Sequence, residues 1–136
     1  MNSKKKVLFI CTHNSARSQM AEAFLNSLLG DRYEAYSAGT APTEVNPYAI
    51  KAMQEAGIDI SGHRSKRVEE FLGQRFDRVV TVCDDAKEAC PFFPGGANHI
   101  HKSFQDPSMC KGSEQEILDC VRRVRDEIKD WIIQSF

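Results

Sequence analysis

The sequence predicts an α/β fold, a single domain over residues 1–136 built on a four-stranded parallel sheet with helices on both faces. Three observations carry that reading. Residues 5–10 are a nearly continuous apolar run with β-branched content, the pattern of a strand buried on both faces of a parallel sheet, and residues 78–82 are a second, strongly β-branched run. Between such runs lie segments with apolar residues three and four positions apart, so strands and helices alternate. With 136 residues, 41% of them hydrophobic and 27% charged, the chain can bury one ordinary core without metals or structural disulfides.

The elements follow in order. After the first strand and a loop over 11–16, Met20, Ala23, Phe24, Ser27 and Leu28 set a helical period from Arg17 that stops at Gly30. Tyr33 to Ser37 is a short strand, and Ala38 to Pro42 reads as loop. Pro47 to Ala56 repeats the helical pattern, with Ile50 and Met53 on one side and Gly57 as terminator. Ser65 to Leu72 reads as a short polar helix, and Arg78 to Val82 as a strand running into Cys83. Asn98 to Ser103 is a fourth, weaker strand. From Glu114 to about Ile133, Ile117, Val121, Val124, Ile128 and Trp131 or Ile132 line one face of a long amphipathic helix. Ligands of such sheets bind beyond the carboxyl ends of the strands, where Cys11 and Cys83 fall.

Charge excludes some roles. A formal net charge of −1 leaves no basic excess for a nucleic-acid binder. Lys4 to Lys6 followed by Val7 to Ile10 is too short for a secretory signal, whose apolar region needs roughly 7–15 residues, and no stretch approaches the roughly 20 apolar residues of a membrane span. The expectation is a cytoplasmic protein and a monomer. In that compartment structural disulfides are rare, so each of the five cysteines (11, 83, 90, 110 and 120) needs its own explanation.

The segment Cys11-Thr12-His13-Asn14-Ser15-Ala16-Arg17-Ser18 joins a buried strand to a helix. A loop of this size can turn several backbone N–H groups onto one tetrahedral oxyanion, with the helix N-terminus adding positive potential. The same donors favour the thiolate form of a cysteine at the loop's edge, and Arg17 adds a charged fork matched to two oxygens. With no glycine in the loop, Asn14 is the residue to take a left-handed turn conformation. Ser18 is placed to hydrogen-bond the sulfur. A buried cysteine ending a strand, with an arginine capping a neighbouring element, would fit the same letters. The flanking strand and helix favour the cradle.

This stretch, continued through Gln19-Met20-Ala21-Glu22-Ala23, resembles the phosphate-binding loop and first helix of the low-molecular-weight protein tyrosine phosphatase superfamily. Asp106-Pro107, after the last strand, resembles its general-acid pair; an acid there would protonate the departing oxygen. In the phosphatase branch an aromatic residue follows that pair, and here Ser108 does. The segment Val82-Cys83-Asp84-Asp85-Ala86-Lys87-Glu88-Ala89-Cys90-Pro91 resembles the redox segment of thioredoxin-coupled arsenate reductases in the same superfamily. The likeness extends over most of the chain, including Tyr36-Ser37-Ala38-Gly39, Gly57 to Ser61 and Arg122 to Ile128.

The resemblance implies arsenate reduction by a three-cysteine relay. Arsenate is held by the amides of residues 12–18 and by Arg17, phosphate or sulfate being able to occupy the same loop. Cys11 attacks, Asp106 acts as acid, Cys83 displaces arsenite by attacking the Cys11 sulfur, and Cys90 closes a disulfide with Cys83 for thioredoxin to reduce. No metal or organic cofactor is required. Were residues 83–90 helical, the two sulfurs would be about 10 Å apart along the axis, while a disulfide needs Cα atoms within about 7 Å; oxidation then unwinds the segment. Two buried cysteines on a helix face would fit that spacing equally.

The chain departs from its relatives at His13, often glycine, and at Ala16, often cysteine. Some relatives hold potassium beside the loop through positions matching Asn14, Glu22, Ser37 and an acidic residue; here that last position is Lys66, which implies weak potassium dependence. Cys110 and Cys120 read as core filler, and His99 and His101 as strand packing without the third ligand a metal would need. Two other functions use the same residues: a phosphatase for phosphotyrosine or a small phosphate ester, and a noncatalytic thiol sensor or arsenite binder. The sensor leaves Arg17 and Asp106 without a purpose.

Overall fold

The structure, a computed structural model, describes residues 4–82 and 95–136. Four strands, β1 (Lys5–Cys11), β2 (Tyr33–Gly39), β3 (Phe76–Thr81) and β4 (Gly96–His101), form one sheet in the order β2-β1-β3-β4, with every neighbouring pair parallel. Three α-helices, α1 (Arg17–Leu29), α2 (Pro47–Glu55) and α3 (Glu114–Ser135), connect and cover it. The chain leaves β1 toward β2 on one side, while β3 pairs on the other. This order makes the carboxyl end of the β1/β3 pair the topological switch point, where α/β sheets bind ligands.

The pleat of β1 sorts the core into two layers. Val7 and Phe9 point to one face, where they pack with Met20 and Phe24 of α1, Met53 of α2 and Val124, Ile128 and Ile132 of α3. Leu8 and Ile10 point to the other, covered by Val68 and Phe71 of a short 3₁₀ helix (Val68–Phe71) together with Phe76 and Val79. Among the described residues, α1, α2 and α3 thus lie on the first face and the Val68–Phe71 3₁₀ helix on the second. Central β1 is buried from Val7 onward, as its unbroken apolar run requires. Each of its large side chains contributes about 1.5–3 kcal/mol relative to exposure.

Helix starts follow their local chemistry. Asn46 caps α2 by accepting from the Tyr48 amide, with Pro47 in the first turn. Ser113 and Glu116 form a reciprocal capping box at the start of α3.

Several expectations are corrected. The helix over Ser65 to Leu72 shortens to the 3₁₀ turn, because the chain before it is held extended against the β1–α1 loop. The fourth strand lies two residues earlier than Asn98–Ser103, since pairing of Phe76 with Gly96 sets its register and its exposed residues carry little apolar pattern. Leu28 is exposed while Leu29 meets the core. Ile50, partly buried, packs against the same core cluster as Met53, and Ala49 and Ala52 complete the buried face of α2. His99 and His101 sit exposed on β4, and the His101 ring nitrogen Nδ1 pairs with Thr81 Oγ1 at 2.7 Å. Cys110 and Cys120 are not separate filler: they form a disulfide between the segment after β4 and α3.

Candidate active site

At the carboxyl end of β1 the chain turns through Thr12 to Ala16 into α1. Three loop carbonyls are fixed from outside: Ala41 N donates to Thr12 O, Thr43 N to His13 O and Asn46 N to Ser15 O, at 2.8, 3.2 and 2.9 Å. In a trans peptide the carbonyl and the next N–H point in opposite directions. Anchoring these carbonyls outward therefore aims the amides of His13, Asn14 and Ala16 inward. Ala16, the N-cap of α1, offers no side-chain oxygen, so no side-chain cap competes with an anion for the first-turn amides.

Asn14 holds the loop's shape. It takes the expected left-handed conformation, φ 49°, and is fully buried. Its Nδ2 donates to Ser18 Oγ at 2.7 Å. Its Oδ1 accepts from Gln19 Nε2 at 2.9 Å and from the Lys66 amide at 2.8 Å, and its carbonyl accepts from Ser65 Oγ at 2.8 Å. Gly39 closes the other flank, where a Cβ would come within 2.5 Å of Thr12 O and 2.8 Å of Asn14 N.

Cys11 is buried, and its sulfur lies 2.9 Å from Ser18 Oγ, a hydroxyl able to donate to a thiolate. Arg17, 2% exposed, reaches across the mouth of the loop: Nη2 is 3.5 Å from Asp106 Oδ2, and Nη1 donates to Phe104 O at 3.4 Å. Asp106 is 21% exposed and caps a second 3₁₀ turn, Pro107–Met109, by accepting from the Ser108 amide at 2.9 Å. One end of the sheet thus gathers Cys11, Thr12, His13, Asn14, Ser15, Ala16, Arg17, Ser18 and Asp106. Cys83 and Cys90 lie outside the described residues.

Behind the loop sits a charged layer. Lys66 Nζ is 3.9 Å from Glu22 Oε1, 3.5 Å from Ser37 Oγ and 3.3 Å from the Arg64 carbonyl. Burial raises the Glu22 pKa, with the Lys66 ammonium pulling against it, and burial lowers the Lys66 pKa, with Glu22 opposing. An ammonium already faces Glu22 and Ser37, so these residues do not fit a bound potassium ion. His63 Nδ1 lies 3.0 Å from Gln19 Oε1 and 3.4 Å from Glu22 Oε2. Burial first, then the nearby Lys66 charge, lowers its pKa.

Gln19, His63 and Ser65 complete this support and are not evident from the sequence alone. Gln19 had one signal: an uncharged polar residue in the first turn of a helix, next to a loop that needs partners for its carbonyls. His63 and Ser65 arrive from more than 40 positions away and left none.

The family model of low molecular weight phosphotyrosine protein phosphatases matches residues 6–135. The chain belongs to that family. An arsenate reductase of Halalkalibacterium halodurans is 46% identical over 126 residues, 93% of this chain and 91% of its own. A solved arsenate reductase in the phosphate binding state superposes with a TM-score of 0.82 at 32% identity, over 96% of this chain and 95% of its own. A thioredoxin-dependent arsenate reductase of Corynebacterium glutamicum gives a TM-score of 0.65 at 29% identity, over 98% of this chain and 64% of its own.

Proposed function

We propose that this chain reduces arsenate to arsenite, with Cys11 as nucleophile, Asp106 as acid and Cys83 and Cys90 as the relay that a thioredoxin regenerates. The observation that carries the proposal is the meeting of Cys11, Ser18, Arg17 and Asp106 around a loop whose amides turn inward. Similarity to proteins named arsenate reductases supports the choice of substrate.

Arsenate enters the loop with its oxygens on the amides and the Arg17 fork. The Cys11 thiolate bonds to arsenic as an oxygen leaves, protonated by Asp106 to water. The Cys83 thiolate then attacks the Cys11 sulfur. The sulfur–arsenic pair of electrons stays on arsenic, which departs as trivalent arsenite, and a Cys11–Cys83 disulfide forms. Cys90 attacks Cys83, freeing the Cys11 thiolate, and a dithiol of the thioredoxin class reduces Cys83–Cys90. We further propose that residues 1–136 act as one domain, as a monomer, in the cytoplasm.

The phosphatase reading uses the same loop, arginine and aspartate. Ser108 counts against phosphotyrosine, because a serine after Asp106-Pro107 offers no ring to stack on a substrate ring. The test is steady-state arsenite production from arsenate with thioredoxin, thioredoxin reductase and NADPH, beside Cys90→Ser. Turnover in the parent and its loss in the variant support the relay. Aryl phosphate hydrolysis without arsenite production replaces it by the phosphatase reading.

A further inference from the structure

We infer that Cys110 and Cys120, once reduced, form a dithiol site for a trivalent arsenical, the chemical class of the product proposed above. The inference rests on that reading for the identity of its natural ligand and on geometry for everything else.

The two Cα atoms are 6.0 Å apart, so both side chains can reach one small atom without backbone movement. Each is held by regular structure. Cys110 ends the 3₁₀ turn after Asp106, Cys120 lies in α3, and the Ser113–Glu116 capping box fixes the chain between them. Such a pair is preorganised and loses little freedom on closing around a ligand. Apolar neighbours Ala52, Leu118 and Val121 back it. On its open side is a surface cleft of about 350 Å³, lined by both cysteines with Gln105, Lys111 and Arg123.

The donor set selects the ligand. Among the described residues no three His, Cys, Asp or Glu side chains gather as a metal site, and structural zinc takes four ligands. Two thiols alone suit a thiophilic centre that binds two sulfurs and keeps its third bond elsewhere. Trivalent arsenic does so: arsenous acid and two thiols give a cyclic dithioarsenite with one hydroxyl, releasing two waters with no change of oxidation state. The dithiol arises when the reductant class that serves the relay, a thioredoxin-like dithiol, passes two electrons to the Cys110–Cys120 bond and becomes a disulfide itself. Arsenic bridging these sulfurs would tie the segment that carries Asp106 to α3, as the disulfide does.

The probe is phenylarsine oxide, which closes on two thiols with loss of one water. The full chain is reduced, the reductant removed, and bound equivalents counted by native mass spectrometry for the parent, Cys110→Ser and Cys120→Ala. The parent binds one equivalent more than either variant, and the probe raises its melting temperature further than theirs; either folded variant suffices for the comparison. Equal stoichiometry in parent and variant overturns the inference. Arsenite production is assayed on the same preparations. A protein that binds the extra equivalent yet turns over no arsenate keeps this site and loses the reductase reading; turnover with equal stoichiometry does the reverse.

Discussion

The two sides of the anion loop are built differently. On the nucleophile side, Asn14, Ser18 and Gln19 are fully buried and bonded to one another, to Lys66 and to Ser65. On the acid side, Asp106 is one-fifth exposed and meets the loop through a 3.5 Å contact with Arg17. Buried polar groups that satisfy one another make a rigid cradle, since losing any partner leaves an orphaned donor or acceptor. An acid that must hand over a proton and return needs solvent contact and a looser hold. Under the proposed mechanism the part that holds the anion is thereby distinct from the part that works on it.

The largest test of this contrast is Asp106→Asn. Asparagine keeps the side-chain oxygen that caps the Ser108 amide, so the melting temperature should stay within about 2 °C of the parent. Turnover should fall roughly 100- to 10,000-fold, the range for loss of a general acid. A fall in stability matching the fall in rate would show that the acid side is structural after all. Asn14→Ala attacks the opposite side. It removes hydrogen bonds to Ser18, Gln19 and Lys66 and puts alanine, which lacks asparagine's tolerance of the left-handed region, at positive φ. Chemical denaturation should register a loss of about 2–4 kcal/mol, with phosphate affinity lost alongside; unchanged stability would deny the cradle its rigidity.

Lys66 sharpens the comparison at its base. Its ammonium faces Glu22, so parent turnover in potassium and in sodium should agree within about twofold, whereas several-fold activation by potassium would contradict an internal cation. The smallest effect concerns His63. Burial and Lys66 lower its pKa, so the folded protein favours the neutral ring. Its stabilisation is present above the unfolded value of about 6.5 and is lost as pH falls through the lower folded value. Followed by NMR, the His63 titration should move upward in Lys66→Met, and a midpoint that does not move would remove Lys66 as a cause.

Much of the architecture was legible because its causes are local. The unbroken run of β1, the period of α1 and the apolar stripe of α3 each follow from a few neighbouring residues. What could not be read depends on distant partners. The Ser65 to Leu72 helix gave way because the Lys66 amide and the Ser65 hydroxyl are bonded to Asn14, some 50 residues away, instead of opening a helical turn. The edge strand β4 takes its register from β3 rather than from its own pattern. Cys11 through Ser18 could be named because a strand, a turn and a helix start stand together in the sequence. Their buttress, from Gly39, His63 and Ser65, exists only once the chain has folded back. The pairing of Cys110 with Cys120 was hidden for a related reason: a turn after β4 had to be laid against α3 before the two residues could meet.

Gly39 and the tethers from Ala41, Thr43 and Asn46 bear on the order of folding. Cys11 and Arg17 are six positions apart, yet the walls of the loop between them come from β2, from residues 41–46 and from the stretch around Lys66. Contacts between such distant positions cost loop-closure entropy before they repay it, and they are expected to close after the local elements. An oxyanion that occupies the finished loop should accordingly leave the folding rate alone and slow unfolding, acting as a latch applied after assembly rather than as a seed for it.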